Sequence, residues 1–318
     1  MALKYVEYTE KYKDEVIKCL RRNFDTLGNM SYSDTSKWLD TISDYEWIDN
    51  PERKDIPFWH GAVGLDGYKV VGFFGLIYAN RIVNGEKKLV LNATTWTLDP
   101  GYTLYVISAT KKLFLDMDNI TDFSALDQLV ALNKRFGLKV IDEKSYFFRK
   151  PKSKCSGIYK IVEANDIKDS IIKQEYKDHI RYSVKCVSYT ATSGLPEYIF
   201  YIVNNRQIDF LKLRWVFILK VTDPSSFSKK YNDIASSICS FEKVSYIQVD
   251  SHFMTNVPSK PIKIEHVNRM VKGDIGNNVD YLYSEYSMAD QYAGKSKHPV
   301  LHKIRKVIRK TVKVKDNK

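Results

Sequence analysis

Apolar residues recur with two different periods along this chain, and the two periods predict alternating helices and strands. Between residues 10 and 24, the apolar side chains of Val16, Cys19, Leu20 and Phe24 fall on one face of a helix. The elements predicted in the first 45 residues are a strand over Lys4–Thr9 and helices over Glu10–Phe24 and from about Ser33 through Ile42.

Two dipeptides mark tight turns in the region that follows. Asp66-Gly67 and Asn84-Gly85 supply the positive φ that two-residue hairpin turns need. They separate three apolar stretches, which predict strands over Phe58–Leu65, Tyr68–Val83 and Lys88–Leu98. The sequence therefore predicts an antiparallel meander here.

A linker divides the chain into two sets of predicted elements whose order is partly the same. The linker is the charged, turn-rich stretch from Arg149 to Gly157. With 318 residues, the chain is long enough for two domains of about 150 residues each. The elements predicted before the linker are a helix over Leu104–Leu115, a strand over Ile120–Ser124, a helix over Ala125–Arg135 and a strand over Leu138–Arg149. Those predicted after it are a strand over Lys160–Glu163, a helix over Asp166–Tyr182, strands near Val184–Thr190, Glu197–Ile202 and Leu213–Val221, a helix over Pro224–Ser240, a strand over Val244–Asp250 and a last helix from about Asp280.

The net charge of +12 is concentrated at one end of the chain. Residues 294–318 hold ten Lys or Arg and one acid, which leaves 40 basic and 37 acidic residues in the body. A body of +3 disfavours a nucleic-acid-binding face. The tail also places Leu301, Ile304 and Ile308 on one helical face, a pattern that suits peripheral contact with an anionic membrane; a solvated, disordered terminus is the alternative.

Cysteine usage and hydropathy suggest a cytoplasmic protein. The four cysteines are scattered without a C-x-x-C pair, which argues against a zinc site or a disulfide framework. No apolar run reaches the length of a membrane span, and the first residues do not resemble a signal peptide. We expect no metal cofactor.

The turn Asp99-Pro100-Gly101-Tyr102 is the most informative local feature. It links the apolar strand Leu89–Leu98 to the predicted helix. A helix start leaves backbone N–H groups unpaired, and the helix dipole adds positive potential at the same place. Such a site binds phosphates, so a pyrophosphate-bearing cofactor is expected here.

Two segments resemble motifs of the GNAT acyltransferases. They are the strand end Trp96-Thr97-Leu98-Asp99-Pro100-Gly101-Tyr102 and the helix end Leu132-Asn133-Lys134-Arg135-Phe136-Gly137-Leu138-Lys139. The resemblance implies an α/β (α+β) fold of two tandem GNAT-like domains, each a mixed, mostly antiparallel sheet flanked by helices. The implied units are an acyl-CoA-binding domain at 1–150, a degenerate domain at 158–293 and the basic tail at 294–318. A narrower similarity, through Thr95–Tyr102 and Asp280–Glu285, is to tandem GNAT-like proteins of bacterial surface-polysaccharide biosynthesis.

The same resemblance implies a set of site residues. The implied catalytic residues are Asn92 and Thr95 on the strand and Asn133 on the later helix. The implied cofactor-binding residues follow the strand end: Leu98, Tyr102, Thr103, Leu104, Tyr105, Val106, Ile107 and Ser108. The chain departs from the family pattern at Thr103, Val106 and Ser108, where the family has Arg or Gln and two glycines. It departs again at Asn133, where the family has a tyrosine acid.

Three functions are compatible with this pattern. The leading hypothesis is acyl transfer, with acetyl-CoA as donor and an amine or hydroxyl acceptor such as a sugar nucleotide or surface-glycan precursor. The departures from the family pattern favour a second hypothesis, a non-catalytic protein that keeps the fold. A third is a tRNA-dependent aminoacyl transferase, which the near-neutral body disfavours.

Other polar residues have plainer explanations. Asp127 lies in the first turn of a helix, where an acid is favourable against the dipole. His60 is expected to be a satisfied sheet residue. Asp250, Ser251 and His252 are adjacent along a strand, so they cannot form a catalytic triad with one another.

Overall fold

The computed structural model describes residues 3–28, 30–48, 54, 56–152, 160–208, 211–275 and 279–288. Most of the predicted linker and the whole basic tail, residues 294–318, lie outside the described residues.

A single mixed sheet of twelve strands runs through the molecule, in the order β1-β2-β3-β4-β5-β12-β6-β11-β10-β9-β8-β7. The strands are β1 Lys4–Glu7, β2 Ala62–Asp66, β3 Lys69–Val83, β4 Glu86–Leu98, β5 Ile120–Asp122, β6 Lys139–Arg149, β7 Lys160–Ile161, β8 Lys185–Thr190, β9 Pro196–Ile208, β10 Leu211–Val221, β11 Tyr246–Asp250 and β12 Lys263–Lys272.

Helices cover both faces of this sheet. The described α-helices are α1 Lys13–Asn23, α2 Asp25–Gly28, α3 Tyr32–Ser43, α4 Val106–Phe114, α5 Asp127–Arg135, α6 Ser170–His179, α7 Pro224–Phe241 and α8 Glu285–Met288. Helices α1 and α3 pack on one face of β2 and β3 and form a small core with them. The main core extends through the rest of both halves. Among the described helices, none combines the length and apolar character that a membrane crossing needs.

The two halves of the chain exchange their last strands. β6 belongs to the first half in sequence, yet it pairs with β11 of the second half. β12 comes from the second half and lies between β5 and β6, antiparallel to both. Counted inward from either edge, the sheet therefore has the same series of strands: four antiparallel strands, a fifth strand parallel to the fourth, and a sixth strand from the other half.

The predicted fold class is confirmed, with corrections at particular elements. The Asn84-Gly85 hairpin forms as predicted, with φ values of 53° and 84°. Residues 57–60 form a turn, so β2 begins later than predicted, at Ala62. The strand β12 was not predicted, and the helix expected from about Asp280 is only the short α8.

Candidate functional site

An opening in the sheet separates β4 from β5. These parallel strands pair only at Leu91 with Ile120 and at Asn92 with Thr121. β5 ends at Asp122, whereas β4 continues to Leu98. The last six residues of β4 therefore extend past β5 and form one side of a cleft.

A bulge shapes the strand where the cleft begins. The register with β3 shifts between Gly75–Thr94 and Phe73–Thr97, so β4 carries one extra residue there. Thr95 has a φ of 52°, a conformation that is costly for a β-branched residue. Gly75 permits the close approach, because a Cβ atom on it would lie 2.7 Å from the carbonyl oxygen of Thr94. The bulge leaves a backbone group out of the ladder beside the cleft.

The cleft holds a pocket of about 200 Å³. The lining comes from the bulge, the end of β5, the start of α5 and the α1–α3 region. Its residues are Phe24, Leu27, Trp38, Ala93, Thr94, Thr95, Trp96, Asp122, Ser124, Ala125, Leu126 and Leu129. No Lys or Arg belongs to this described lining, and Asp122 is its one ionisable group.

Asp122 combines access to the pocket with a strongly buried carboxyl group. It is 9% exposed, and Asn133 Nδ2 donates a 2.8 Å hydrogen bond to its Oδ2. Burial, reinforced by the charge of Glu285, raises the pKa of Asp122 to about 7, against hydrogen bonds from Asn133 and the backbone of Ser124. A carboxyl group with this pKa can accept a proton near neutral pH.

A second buried carboxyl group comes from the other half of the chain. Glu285 of α8 accepts a 2.7 Å hydrogen bond from Asn92 Nδ2 on β4. Asn92 Oδ1 in turn accepts from Thr121 Oγ1 at 2.9 Å. Burial raises the pKa of Glu285, although hydrogen bonds from Asn92 and Ser124 oppose the shift. The second half thus contributes a carboxyl group that contacts β4 of the first half.

The predicted catalytic residues lie around this cleft. Thr95 lines the pocket, and its hydroxyl lies 3.1 Å from that of Thr94. Asn133 is behind the pocket and acts on it through Asp122. Asn92 is also behind it and holds Glu285. Their catalytic roles stay predictions, since Asn92 and Asn133 contact carboxyl groups rather than the pocket.

The turn after β4 is held in place by Asp99. Its carboxylate accepts hydrogen bonds of 2.6 and 2.7 Å from Arg22 and one of 2.8 Å from Asn23. These partners outweigh burial and lower the pKa of Asp99. Gly101 supports the turn with a φ of 96°.

The predicted cofactor-binding residues lie on either side of this turn and are accessible. They are Leu98, Tyr102, Thr103, Leu104, Tyr105, Val106, Ile107 and Ser108, none of them fully buried. A 3-10 turn over Thr103–Tyr105 precedes α4, which therefore begins at Val106 rather than at Leu104. The N–H groups of Tyr105 and Val106 bond within this turn, so fewer face outward than a plain helix start offers. Binding of a phosphate here stays a prediction.

Several side chains at the site were not singled out from sequence. Asp122 lies in the strand that was predicted to reach Ser124 but that ends at Asp122 itself. An acidic residue at the end of an apolar strand was the feature from which a site role could have been predicted. Trp38 and Phe24 gave only a helical apolar face. Glu285 ends the segment Asp280–Glu285 that carried the narrower resemblance, but no role was predicted for it, because its contact with Asn92 joins the two halves of the chain.

The remaining candidates have structural partners. His252 Nδ1 lies 2.7 Å from Asp142 Oδ2 and its Nε2 lies 3.0 Å from the carbonyl oxygen of Val279, so its ring bonds neither Ser251 nor Asp250. Asp127 accepts a 2.7 Å hydrogen bond from Asn268. His60 lies in the turn before β2 rather than in a strand.

The second half has the equivalent opening, but its own chain fills it. β10 and β11 are parallel and pair only at Val216–Ile247 and Phe217–Gln248, and β10 has a bulge between Ile218 and Lys220. Residues 279–288, which we call the C-terminal segment, are all buried. The N–H of Tyr281 in this segment donates a 2.9 Å hydrogen bond to the carbonyl of Leu219 at the bulge.

Two solved structures share this architecture at low sequence identity. A GCN5-related N-acetyltransferase from Kribbella flavida is 10% identical over 85% of this chain and 71% of its own, with a TM-score of 0.51. A candidate acetyltransferase from Pyrococcus horikoshii is 10% identical over 93% and 94%, with a TM-score of 0.50. No protein-family profile and no curated protein sequence matches the chain. The chain therefore has the fold of the GCN5-related N-acetyltransferases, the GNAT fold.

Proposed function

We propose that this protein is an acyl-CoA-dependent acyltransferase whose site is the cleft between β4 and β5. The observation that carries the proposal is the position of Asp122, a buried carboxyl group with a raised pKa that lines a pocket beside a strand bulge. A pocket with a perturbed carboxyl group is a candidate catalytic site on physical grounds.

The donor in this proposal is acetyl-CoA. Its pyrophosphate would lie at the turn formed by Tyr102–Ser108, where the start of α4 offers backbone N–H groups and the helix dipole. Tyr102 and Tyr105 have no side-chain capping bond to the helix start within the described structure. The helix start is therefore free of a competing side-chain oxygen from either residue.

Transfer follows from the positions of the bulge and the carboxylate. A bulge N–H would hold the thioester oxygen, whose charge grows as the acceptor attacks. The acceptor gives its proton to Asp122 and forms a bond to the acyl carbon. The C–S bond then breaks, and the coenzyme A thiolate takes a proton from water, since Asn133 cannot supply one. Positioning of the two substrates supplies much of the acceleration.

The resemblance also suggests a sugar-nucleotide or surface-glycan acceptor, cytoplasmic location and peripheral membrane contact through the tail. These stay predictions, and the tail lies outside the described residues. A non-catalytic role is the second candidate, favoured by the residues that replace the family's glycines and tyrosine. A tRNA-dependent reaction has the weakest support, because the body of the chain is nearly neutral.

Calorimetric titration with acetyl-CoA tests the proposal. We expect one saturable site that Ser108→Glu weakens by roughly 10- to 100-fold, since the new carboxylate repels phosphate at the start of α4. The matched control is Ser225→Glu, which adds a carboxylate at an exposed serine in the first turn of α7. Absence of binding at millimolar acetyl-CoA, or equal weakening by both variants, would contradict the proposed site.

A further inference from the structure

We infer that the acceptor is a primary amine carried on an aromatic or branched aliphatic body, and that it enters the pocket between Trp38 and Asp122. This inference rests on the proposed function and goes beyond it, because acyl transfer alone leaves the acceptor open. It differs from the sugar-nucleotide acceptor that the sequence resemblance suggests.

The walls of the pocket are apolar and partly aromatic. Trp38 and Phe24 come from the α1–α3 region, and Leu126 and Leu129 come from the start of α5. The hydroxyl groups of a sugar that face these four side chains would lose water without gaining hydrogen bonds, which is costly. The polar groups of the lining, on Thr94, Thr95, Asp122 and Ser124, can bind only part of a sugar's hydroxyl groups. An aromatic ring or branched chain gains free energy from the same contact.

The volume of the pocket suits a small apolar body. A protein cavity of roughly 150 Å³ is known to hold benzene. The present pocket, at about 200 Å³, accommodates a ring with a short amine arm.

The charge of the pocket selects an amine over a phosphorylated acceptor. Asp122 is the one ionisable residue of the described lining. The nearby guanidinium of Arg22 is already bound to Asp99 by two hydrogen bonds of 2.6 and 2.7 Å. Recognition of a diphosphate normally uses arginine or lysine, and this lining supplies neither.

Asp122 has a double role toward an amine. As a carboxylate it attracts the incoming ammonium group, and it then accepts a proton from the nitrogen. The freed lone pair forms the C–N bond as the C–S bond of the thioester breaks. The nitrogen then loses its second proton to water, and the coenzyme A thiolate takes a proton from water. An acyl chain in the same pocket would instead place methylene groups against this buried carboxyl group and give it no new hydrogen-bond partner.

Acceptor competition tests the inference. The full-length protein is given acetyl-CoA with 2-phenylethylamine, isoamylamine, glucosamine or UDP-glucosamine, and thiol release and product mass are followed. We expect the two apolar amines to exceed both sugars in kcat/KM by at least about 100-fold, given what a mismatched polar group costs in a binding site.

Variants of Trp38, which lines the pocket, test whether the preference for apolar amines arises there. Trp38→Ala should lower kcat/KM for 2-phenylethylamine by roughly 10- to 100-fold and leave the affinity for acetyl-CoA unchanged. Trp38→Phe, which keeps an aromatic wall, should retain most of the activity. Tyr68→Ala removes a fully exposed aromatic side chain of the same half and should change nothing.

The outcomes separate the inference from the proposed function. Preferred acetylation of either sugar, or a Trp38→Ala effect confined to longer acyl-CoA donors, would overturn the inference and keep the acyltransferase. Equal turnover of all four acceptors would also overturn it. Failure to bind acetyl-CoA would overturn both.

Discussion

The two halves of this protein build the same opening in the sheet and use it differently. In the first half, the parallel strands part beside a bulge, and a pocket remains. In the second half, the parallel strands also part beside a bulge, but the C-terminal segment lies against it. The ring of Tyr281 in that segment stacks on Phe217, with the centroids 5.8 Å apart.

The helices that follow the two openings, α4 and α7, also differ at their starts. Asp223 caps the start of α7, where its carboxylate accepts a 3.0 Å hydrogen bond from the N–H of Ser226. A phosphate at that helix start would meet this negative charge. At the start of α4, the cap positions belong to Tyr102 and Tyr105, whose side chains make no capping bond; the hydroxyl of Tyr102 instead donates a 2.6 Å hydrogen bond to Asp66. The two openings therefore share a topology but differ in occupancy and in the cap of the helix that follows.

Removal of the Asp122 carboxylate from the first-half cleft should have the largest effect on acyl transfer. Asp122→Asn keeps the size of the side chain, but its amide cannot accept the proton. We expect acyl transfer to fall by about 10²- to 10⁴-fold while acetyl-CoA still binds. Thiol-release kinetics measure this, with the exposed Asp116→Asn as control. Retention of half the activity would show that Asp122 is not the base.

Filling the first opening should make it resemble the second. Ala125 lines the pocket, so the larger side chain of Ala125→Trp should occupy the volume that the acceptor needs. We expect kcat/KM for acyl transfer to fall by roughly 10- to 100-fold, with a stability cost of about 1–3 kcal/mol from overpacking. Ala131→Trp adds the same ring on the exposed face of α5 and controls for its bulk. Equal rates in both variants would place the substrate elsewhere.

The raised pKa of Asp122 also predicts how stability depends on pH. The folded protein holds this proton up to about pH 7, whereas the unfolded chain releases it near 3.8. The folded state therefore binds more protons in this window, so this group's stabilising contribution is lost as the pH rises through it. Its part of the slope is at most about 1.4 kcal/mol per pH unit for one proton. Denaturant unfolding of Asp122→Asn between pH 4 and 7 should lack this component; an unchanged slope would contradict the assignment.

The two bulges should respond differently to glycine. Thr95 has a positive φ, so Thr95→Gly relieves strain and should stabilise the protein by up to about 1 kcal/mol. Leu219 is fully buried in the second bulge, so Leu219→Gly should destabilise it by several kcal/mol, on the order of 3–5. Thermal unfolding of both variants gives the comparison. A Thr95→Gly variant less stable than the parent would show that contacts of the threonine outweigh the strain.

Local signals in the sequence predicted the fold well where the physics is local. The Asn84-Gly85 turn and the apolar face of α1 need only nearby residues, and both formed as expected. The strand β12 was missed because its place between β5 and β6 depends on partners more than 100 residues away. The fold class was predicted nonetheless, since the motifs around Leu98 and Gly137 are local too.

The site was predicted only in part for the same reason. The strand that carries Asn92 and Thr95 was identified, and it forms one side of the cleft. Asp122 and Glu285 become informative only when burial and the other half of the chain are known. Glu285 accepts a hydrogen bond from Asn92, although it lies 193 residues later in the chain. No periodicity in the sequence indicates this contact.

Hydrogen exchange with and without acetyl-CoA tests the central claim, that the first-half opening alone accepts the donor. We expect slower exchange of backbone amides over residues 93–109, which hold the bulge, the turn and the start of α4. We expect no change over residues 216–228, the equivalent region of the second half. Protection of residues 216–228, or of both regions equally, would contradict the account.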